Sequence, residues 1–232
     1  MKFIFFLLIM VIGLSGCGHS QLESMIFDNI SEVREFVLFG EDEKLSASLM
    51  CGRRESDYVI NGYHTSLVDF GVVTITLGDN VTKDFKRAQY ILYVGTEIYK
   101  GDFEINPYDE TLVADIKKII DKSENVSVDV ILDKEKISSL KLKNVDKDWI
   151  ITCNDCINIL SKTYKKELKS LIRDGEFWGE VYVKIITDRK AQDVKNFFFY
   201  ANVVGRSGEN LSMVICPFTG EVLASNCNIN LS

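Results

Sequence analysis

Apolar and polar residues alternate along much of the chain, which is the pattern of strands with one buried face. Alternation at residues 44–51, after a β-like run at 36–39, predicts a hairpin with its turn at residues 40–43. A second hairpin is predicted at residues 90–105. Single strands are predicted at residues 70–77, 126–132 and 137–142, each ended by charged residues or by Gly, Asp or Asn.

Apolar residues recur at helical spacing in three other stretches. The first predicts a short helix over residues 21–34, and the second predicts an amphipathic helix over residues 109–120. The third runs from Thr152, whose Thr-x-x-Asp spacing resembles a capping box, to Gly175 and predicts the longest helix of the chain. Strands are predicted to follow at residues 180–187, 196–204, 211–216 and 222–224, and their short turns make them antiparallel.

These elements predict an α+β fold that is mostly antiparallel. A β-rich domain with one helix is expected over residues 25–145. A domain in which a helix packs on an antiparallel meander is expected over residues 146–232. The boundary is placed in the charged stretch at residues 143–148.

The end of the chain suggests a known family. Residues 208–215, followed by Thr219-Gly220-Glu221-Val222-Leu223, resemble the end of a PepSY-type domain, in which a strand, a Thr-Gly-Glu turn and a short strand follow one another. The resemblance implies a small cystatin-like module of the kind found on secreted and surface proteins, where some members act as inhibitory or binding units.

The N-terminus carries the most specific motif. An unbroken apolar run at residues 3–14 is too short to span a bilayer and fits the apolar region of a signal peptide. It ends in Leu14-Ser15-Gly16-Cys17, which resembles the lipobox of bacterial lipoprotein precursors. The resemblance implies that residues 1–16 are a removed signal peptide and that Cys17 carries palmitate-type acyl chains. It also implies a lipidated tether over residues 17–24 and a location on the outer side of the cell membrane.

Composition limits the partners of the chain without identifying one. Its 232 residues are 46% hydrophobic and 26% charged, as expected of a globular protein with a buried core. The net charge of −7 argues against nucleic acid or an anionic membrane surface as a partner, because both select for clustered Lys and Arg. The partners expected are the bilayer, through Cys17, and an unknown envelope or extracellular partner.

Five cysteines remain after Cys17. Cys216 with Cys227 and Cys153 with Cys156 are candidate disulfides, with buried free thiols as the alternative for each. The spacing Cys153-x-x-Cys156 at a helix start also resembles a thioredoxin-type redox motif, in which the helix N-terminus lowers the pKa of the first thiol. That resemblance implies Cys153 as the attacking thiol and Cys156 as the resolving thiol.

The polar stretch at residues 52–68 is the candidate binding loop. It combines two adjacent arginines, which can fork to carboxylate or phosphate, with hydrogen-bonding rings: Arg53, Arg54, Tyr58, Tyr63 and His64. The alternative is a solvated loop whose arginines pair with Glu55 and Asp57. His19 and His64 are the two histidines, so a multi-histidine metal site is excluded and neither a metal nor a cofactor is expected.

The expected function is therefore that of a surface lipoprotein that acts as a non-enzymatic binding or accessory module. The alternative from another class is a tethered thiol-disulfide oxidoreductase that uses Cys153 and Cys156. A purely structural envelope protein is a third possibility that these patterns do not separate from the first.

Overall fold

A computed structural model describes residues 21–56, 65–118, 120–187 and 197–229. The protein is mostly antiparallel β, with 55% strand and 14% helix. Within the described residues, β10 and β11 form a small sheet of their own and the other thirteen strands form one continuous sheet. The strands are β1 (Ile30–Glu41), β2 (Leu45–Glu55), β3 (Leu67–Leu77), β4 (Ala88–Val94), β5 (Glu97–Asp102), β6 (Glu104–Ile105), β7 (Leu112–Ile116), β8 (Val126–Leu132), β9 (Glu135–Asn144), β10 (Ile172–Arg173), β11 (Glu176–Phe177), β12 (Gly179–Thr187), β13 (Phe197–Gly205), β14 (Asn210–Ile215) and β15 (Val222–Cys227).

Strands β1 to β9 curl into a nearly closed barrel. From β1 the sheet continues through β2, β3, β7 and β6 on one side and through β9, β8, β4 and β5 on the other. β5 and β6 follow one another through Phe103, which brings the two ends of the sheet together. Alternate residues point inwards, as the sequence predicts, and fill the barrel with Leu49, Val73, Leu92 and Val128, all fully buried.

Strand β1 belongs to two parts of the structure. Its start, at Ile30–Val33, pairs in parallel with β12, whereas Leu38 and Phe39 pair antiparallel with β9. Between these regions the register of β1 against β2 shifts by a bulge between Arg34 and Phe36. Gly52 lies opposite this bulge, and a Cβ there would come within 2.0 Å of the Val33 carbonyl oxygen. The close approach of the two backbones therefore requires glycine.

A second core lies between the meander β12–β15 and three short helices: α1 (Gln21–Phe27), α2 (Cys153–Thr163) and α3 (Lys165–Ser170). The predicted capping box is confirmed, because the Thr152 side chain accepts from the Asp155 N–H and the Asp155 carboxylate accepts from the Thr152 N–H. Ile157 and Leu160 of α2 pack into this core with Ile26 of α1 and Phe199 of β13.

All three predicted helices differ from the structure. The helix predicted at residues 109–120 is wrong, because Leu112–Ile116 is strand β7 and pairs with β3. The spacing of Leu112 and Ile116 fits both a helix and a strand. The strand forms because it can pair with the free edge of β3. The helix predicted at 21–34 ends at Phe27, and the long helix predicted from Thr152 is broken at Tyr164, whose φ of −115° and ψ of 36° are not helical.

The predicted α+β fold class is also wrong. Helices do pack on the meander, but the two do not form an independent cystatin-like or PepSY-like α+β module, because β12 joins β1 and continues the sheet of the barrel. The division into domains at residues 25–145 and 146–232 stays a prediction. In the described part of the chain, no helix is long and apolar enough to cross a membrane.

Gly52→Ala tests the bulge of β1. The added Cβ would meet backbone atoms of Val33 and Arg34, so we expect the free energy of unfolding to fall by about 2–3 kcal/mol in a denaturant titration. Gly71→Ala in β3 is the matched control. Its Cβ would meet its nearest neighbours at 3.3–3.4 Å, and we expect a loss below about 1 kcal/mol. Equal losses in the two variants would contradict this role of Gly52.

Candidate functional site

A groove with a volume of about 470 Å³ runs across the outer face of the sheet, where the barrel meets the meander. The volume is within the range of small-molecule sites. We call it the hydroxyl groove. Its lining residues come from β1, β2, β3, β7, β12, β13 and the β6–β7 turn: Arg34, Phe39, Ser46, Ser48, Met50, Val72, Thr74, Thr76, Asn106, Asp109, Thr111, Val113, Ile185, Ile186, Thr187 and Phe197.

The middle of the groove is a ladder of hydroxyl groups. Ser46 pairs with Thr76, and Ser48 pairs with Thr74, across β2 and β3. Their neighbours in sequence, such as Leu49, point into the barrel, so strand alternation turns all four hydroxyls to the groove. These hydroxyls make no hydrogen bond with any described residue, and each can both donate and accept.

The β6–β7 turn forms the polar end of the groove. The Asp109 carboxylate accepts from the Thr111 N–H at 3.0 Å and from the Thr111 hydroxyl at 2.6 Å. The Asn106 side chain accepts from the Tyr108 N–H at 3.1 Å, and the Asn106 N–H donates to the Thr111 carbonyl at 2.8 Å. This turn is therefore held by its own side chains and presents a fixed polar wall.

The other end of the groove combines aromatic rings with an arginine that forms an ion pair. Phe39 meets Phe197 edge to face, with ring centroids 5.8 Å apart. The Arg34 Nε lies 2.8 Å from a Glu32 carboxylate oxygen, and the Lys184 Nζ lies 3.4 Å from the other oxygen. The groove thus offers hydroxyl groups along its length and an apolar end, beside which Arg34 shares one carboxylate with Lys184.

The predicted binding loop is only partly described. Arg53 and Arg54 lie on β2, where Arg53 pairs with Glu35 at 2.9 Å and Arg54 pairs with Asp115 at 3.1 Å. Arg54 also lies over the Phe70 ring at 4.7 Å. Both guanidinium groups therefore have carboxylate partners among the described residues, Glu35 and Asp115. Asp57, a partner in the alternative of a solvated loop, lies outside the described residues. The other residues of this prediction lie outside the described residues: Tyr58, Tyr63 and His64. The loop as a binding site stays a prediction.

Cys153 and Cys156 are free thiols in the core rather than exposed ones. Burial, reinforced by the charge of Glu35, raises the pKa of Cys153 to about 12, and burial also raises the pKa of Cys156. The Cys153 Sγ donates to the Arg34 carbonyl at 2.8 Å, which ties the start of α2 to the bulge of β1. An attacking thiol needs a lowered pKa and access to its substrate. These surroundings therefore do not favour the redox prediction.

The predicted pair Cys216 and Cys227 lies at opposite ends of the β14–β15 hairpin. Cys227 is opposite Leu211, whereas Cys216 follows Ile215 at the turn, and both thiols are free. Cys216 is five positions beyond Leu211, which is about 16 Å along the strand, against a Cα separation below about 7 Å in a disulfide. This hairpin cannot close that bridge without rearrangement.

The Cys216 thiol has an unusual environment for a free cysteine. Burial acts to raise its pKa, but hydrogen bonds from the Thr219 hydroxyl and from the Phe218 and Thr219 N–H groups outweigh burial and lower the pKa. Cys51, by contrast, is fully buried in the barrel, and burial raises its pKa to about 11. Within the described residues, no cluster of three His, Cys, Asp or Glu side chains could hold a metal ion.

Among known proteins, no family model, no curated protein and no solved structure matches the chain. The resemblance of the segment ending in Cys17 to a lipobox therefore stays a prediction, and Cys17 itself lies outside the described residues.

The candidate site that sequence reasoning missed is the hydroxyl groove. Its signal was present in the alternation of β2, where Ser46 and Ser48 fall on the face opposite Leu45, Ala47 and Leu49. The pairing that aligns them with Thr74 and Thr76, and the wall formed by β12, depend on tertiary contacts.

Thiol labelling tests the cysteine environments. At mildly alkaline pH we expect iodoacetamide to modify Cys216 and Cys227 in the native protein. Cys51, Cys153 and Cys156 should be spared, because their thiols are buried and a raised pKa keeps the unreactive protonated form. Peptide mass spectrometry reads each site, and guanidinium chloride should expose all five. Rapid native labelling of Cys153 would contradict this and restore the redox prediction.

Proposed function

We propose that the protein is a lipoprotein anchored through Cys17 on the outer side of the cell membrane and that it binds a ligand in the hydroxyl groove. The support for the anchor is the segment Leu14-Ser15-Gly16-Cys17 at the end of a short apolar run. The diacylglycerol expected on Cys17 anchors firmly, because each buried methylene contributes about 0.8 kcal/mol.

The observation that supports a binding role is the ladder of unpartnered hydroxyls in the groove, at Ser46, Ser48, Thr74 and Thr76. The sheet holds these four uncharged hydroxyl groups in a row, so a ligand that binds them needs no opposite charge. Such a surface suits a neutral, elongated ligand with many hydroxyl groups, and the apolar end can cover an apolar face of the same molecule. We propose a neutral saccharide as the ligand class, with the protein acting as a binding or accessory module rather than an enzyme.

The anchor is tested by Cys17→Ser. We expect this variant to leave the membrane fraction and to lack acyl chains by mass spectrometry, because the sulfur atom proposed to carry the diacylglycerol is removed. Cys227→Ser is the matched control, since its thiol is exposed and far from the proposed anchor in sequence, and it should stay with the membrane. Retention of Cys17→Ser on membranes would exclude anchoring through this residue.

The groove is tested by Ser48→Tyr. The ring should fill the middle of the groove and weaken binding of neutral oligosaccharides at least tenfold, about 1.4 kcal/mol. Binding partners would first be selected on an array of neutral oligosaccharides and then measured by calorimetry. Ser127→Tyr is the matched control, because Ser127 is also a half-buried serine of a barrel strand but lies outside the groove. If no oligosaccharide on the array binds, neutral saccharides are excluded as the ligand class. If the two variants bind with equal affinity, the groove is excluded as the binding site.

A further inference from the structure

A lipid anchor on Cys17 would hold the folded protein close to the membrane, because the connecting segment is short. Residues 18–20 are all that separate Cys17 from Gln21, where α1 begins. A chain spans at most about 3.5 Å per residue, so the Cα of Gln21 lies within about 14 Å of that of the lipidated cysteine. Helix α1 must therefore lie next to the bilayer surface.

The elements around α1 then face the membrane with it. Helix α1 contacts α2 and β11, β11 pairs with β10, and β10 contacts α3. Two hydrogen bonds close this end of the protein: the Trp178 N–H donates to the Leu171 carbonyl and the Val181 N–H donates to the Asn29 carbonyl, both at 2.9 Å. The helices and the β10–β11 hairpin therefore share one end of the molecule.

This end carries a lysine face on α2 and α3. Lys162, Lys165, Lys166 and Lys169 are exposed and form no ion pair with any described residue. Leu168 anchors the opposite side of α3 in the core, and the single acidic residue of this segment, Glu167, is half-buried. Residues 161–170 thus carry a net charge of +3 in a chain whose net charge is −7.

We propose that this lysine face contacts anionic phospholipid headgroups and fixes the orientation of the protein on its membrane. The proposal rests on the lipid anchor under Proposed function, which brings the face to the bilayer. Each lysine near an anionic surface strengthens the contact about fivefold. Acidic neighbours are present at Glu23, Asp174 and Glu176, but they lie on α1 and the β10–β11 hairpin rather than on the outer side of α3.

The orientation has a consequence for the hydroxyl groove. The hydrogen bond from the Trp178 N–H to the Leu171 carbonyl, just after α3, places the lysine-bearing helix near the start of β12 at Gly179. The groove includes Ile185 and Thr187 at the other end of this strand. Thr187 is eight positions beyond Gly179, which is about 26 Å along the strand. The groove is therefore held away from the bilayer and open to the surrounding medium.

Amine footprinting on vesicles tests the proposal. The chain from Cys17 to Ser232, with Cys216→Ser and Cys227→Ser, is coupled through Cys17 to a maleimide lipid. The vesicles contain either phosphatidylcholine with phosphatidylglycerol or phosphatidylcholine alone. Acetylation of each lysine is followed by mass spectrometry and compared with the same chain free in solution. Lys100, Lys141 and Lys143 on the barrel are internal controls, since they are also exposed and form no ion pair with any described residue.

On vesicles with phosphatidylglycerol we expect acetylation of Lys165, Lys166 and Lys169 to slow at least about fivefold. Salt at about 1 M should remove this protection, because it shortens the screening length to about 3 Å. The control lysines should change less than about twofold. Protection of the barrel lysines, or equal protection on phosphatidylcholine alone, would overturn the proposal. Because the coupling supplies the anchor chemically, failure here is distinct from a failure of cells to lipidate Cys17.

Discussion

The double pairing of strand β1 is the constraint on which the rest of the structure depends. Its start pairs with β12 in parallel and its end pairs with β9 in antiparallel fashion, so one strand must change its register between them. The bulge after Arg34 makes that change, and Gly52 lets the neighbouring backbone follow. Strand β1 thereby contributes to both cores: Val33 and Val37 enter the core of the meander, whereas Phe36 and Leu38 enter the barrel.

The groove follows from this junction. The outer face of a barrel strand is ordinarily an exposed, convex surface, and the hydroxyls of β2 and β3 would then lie open to solvent. Because β12 and β13 leave the barrel beside β1, their ends at Ile185 and Phe197 form a wall next to those hydroxyls. The same β12 connects the groove with the end of the molecule where α1 begins. The proposed ligand site and the proposed membrane-facing end thereby lie towards opposite ends of one strand.

Cys153 and Cys156 have the spacing of a redox motif, but their positions are explained by packing. Cys153 and Cys156 lie on the inner side of the first turn of α2, where a small apolar side chain is needed against β1. The helix N-terminus would favour a thiolate, but burial opposes charge more strongly and raises the pKa of both thiols. Residues three apart lie on the same face of a helix, and this face of α2 is turned towards the core, which explains the spacing.

The sequence by itself determined most strands, the hairpins between neighbours and the capped start of α2, because these depend on alternation and on contacts between residues close in the chain. It left residues 112–116 ambiguous, since Leu112 and Ile116 suit a helix as well as a strand. Only the tertiary structure decided the parallel pairing of β1 with β12, the partners of Arg53 and Arg54, and the packing of the lysine-bearing helices beside α1 and the β10–β11 hairpin. The physical reason is that pairing over some 150 residues depends on which sheet edge is left free, and no local pattern records this.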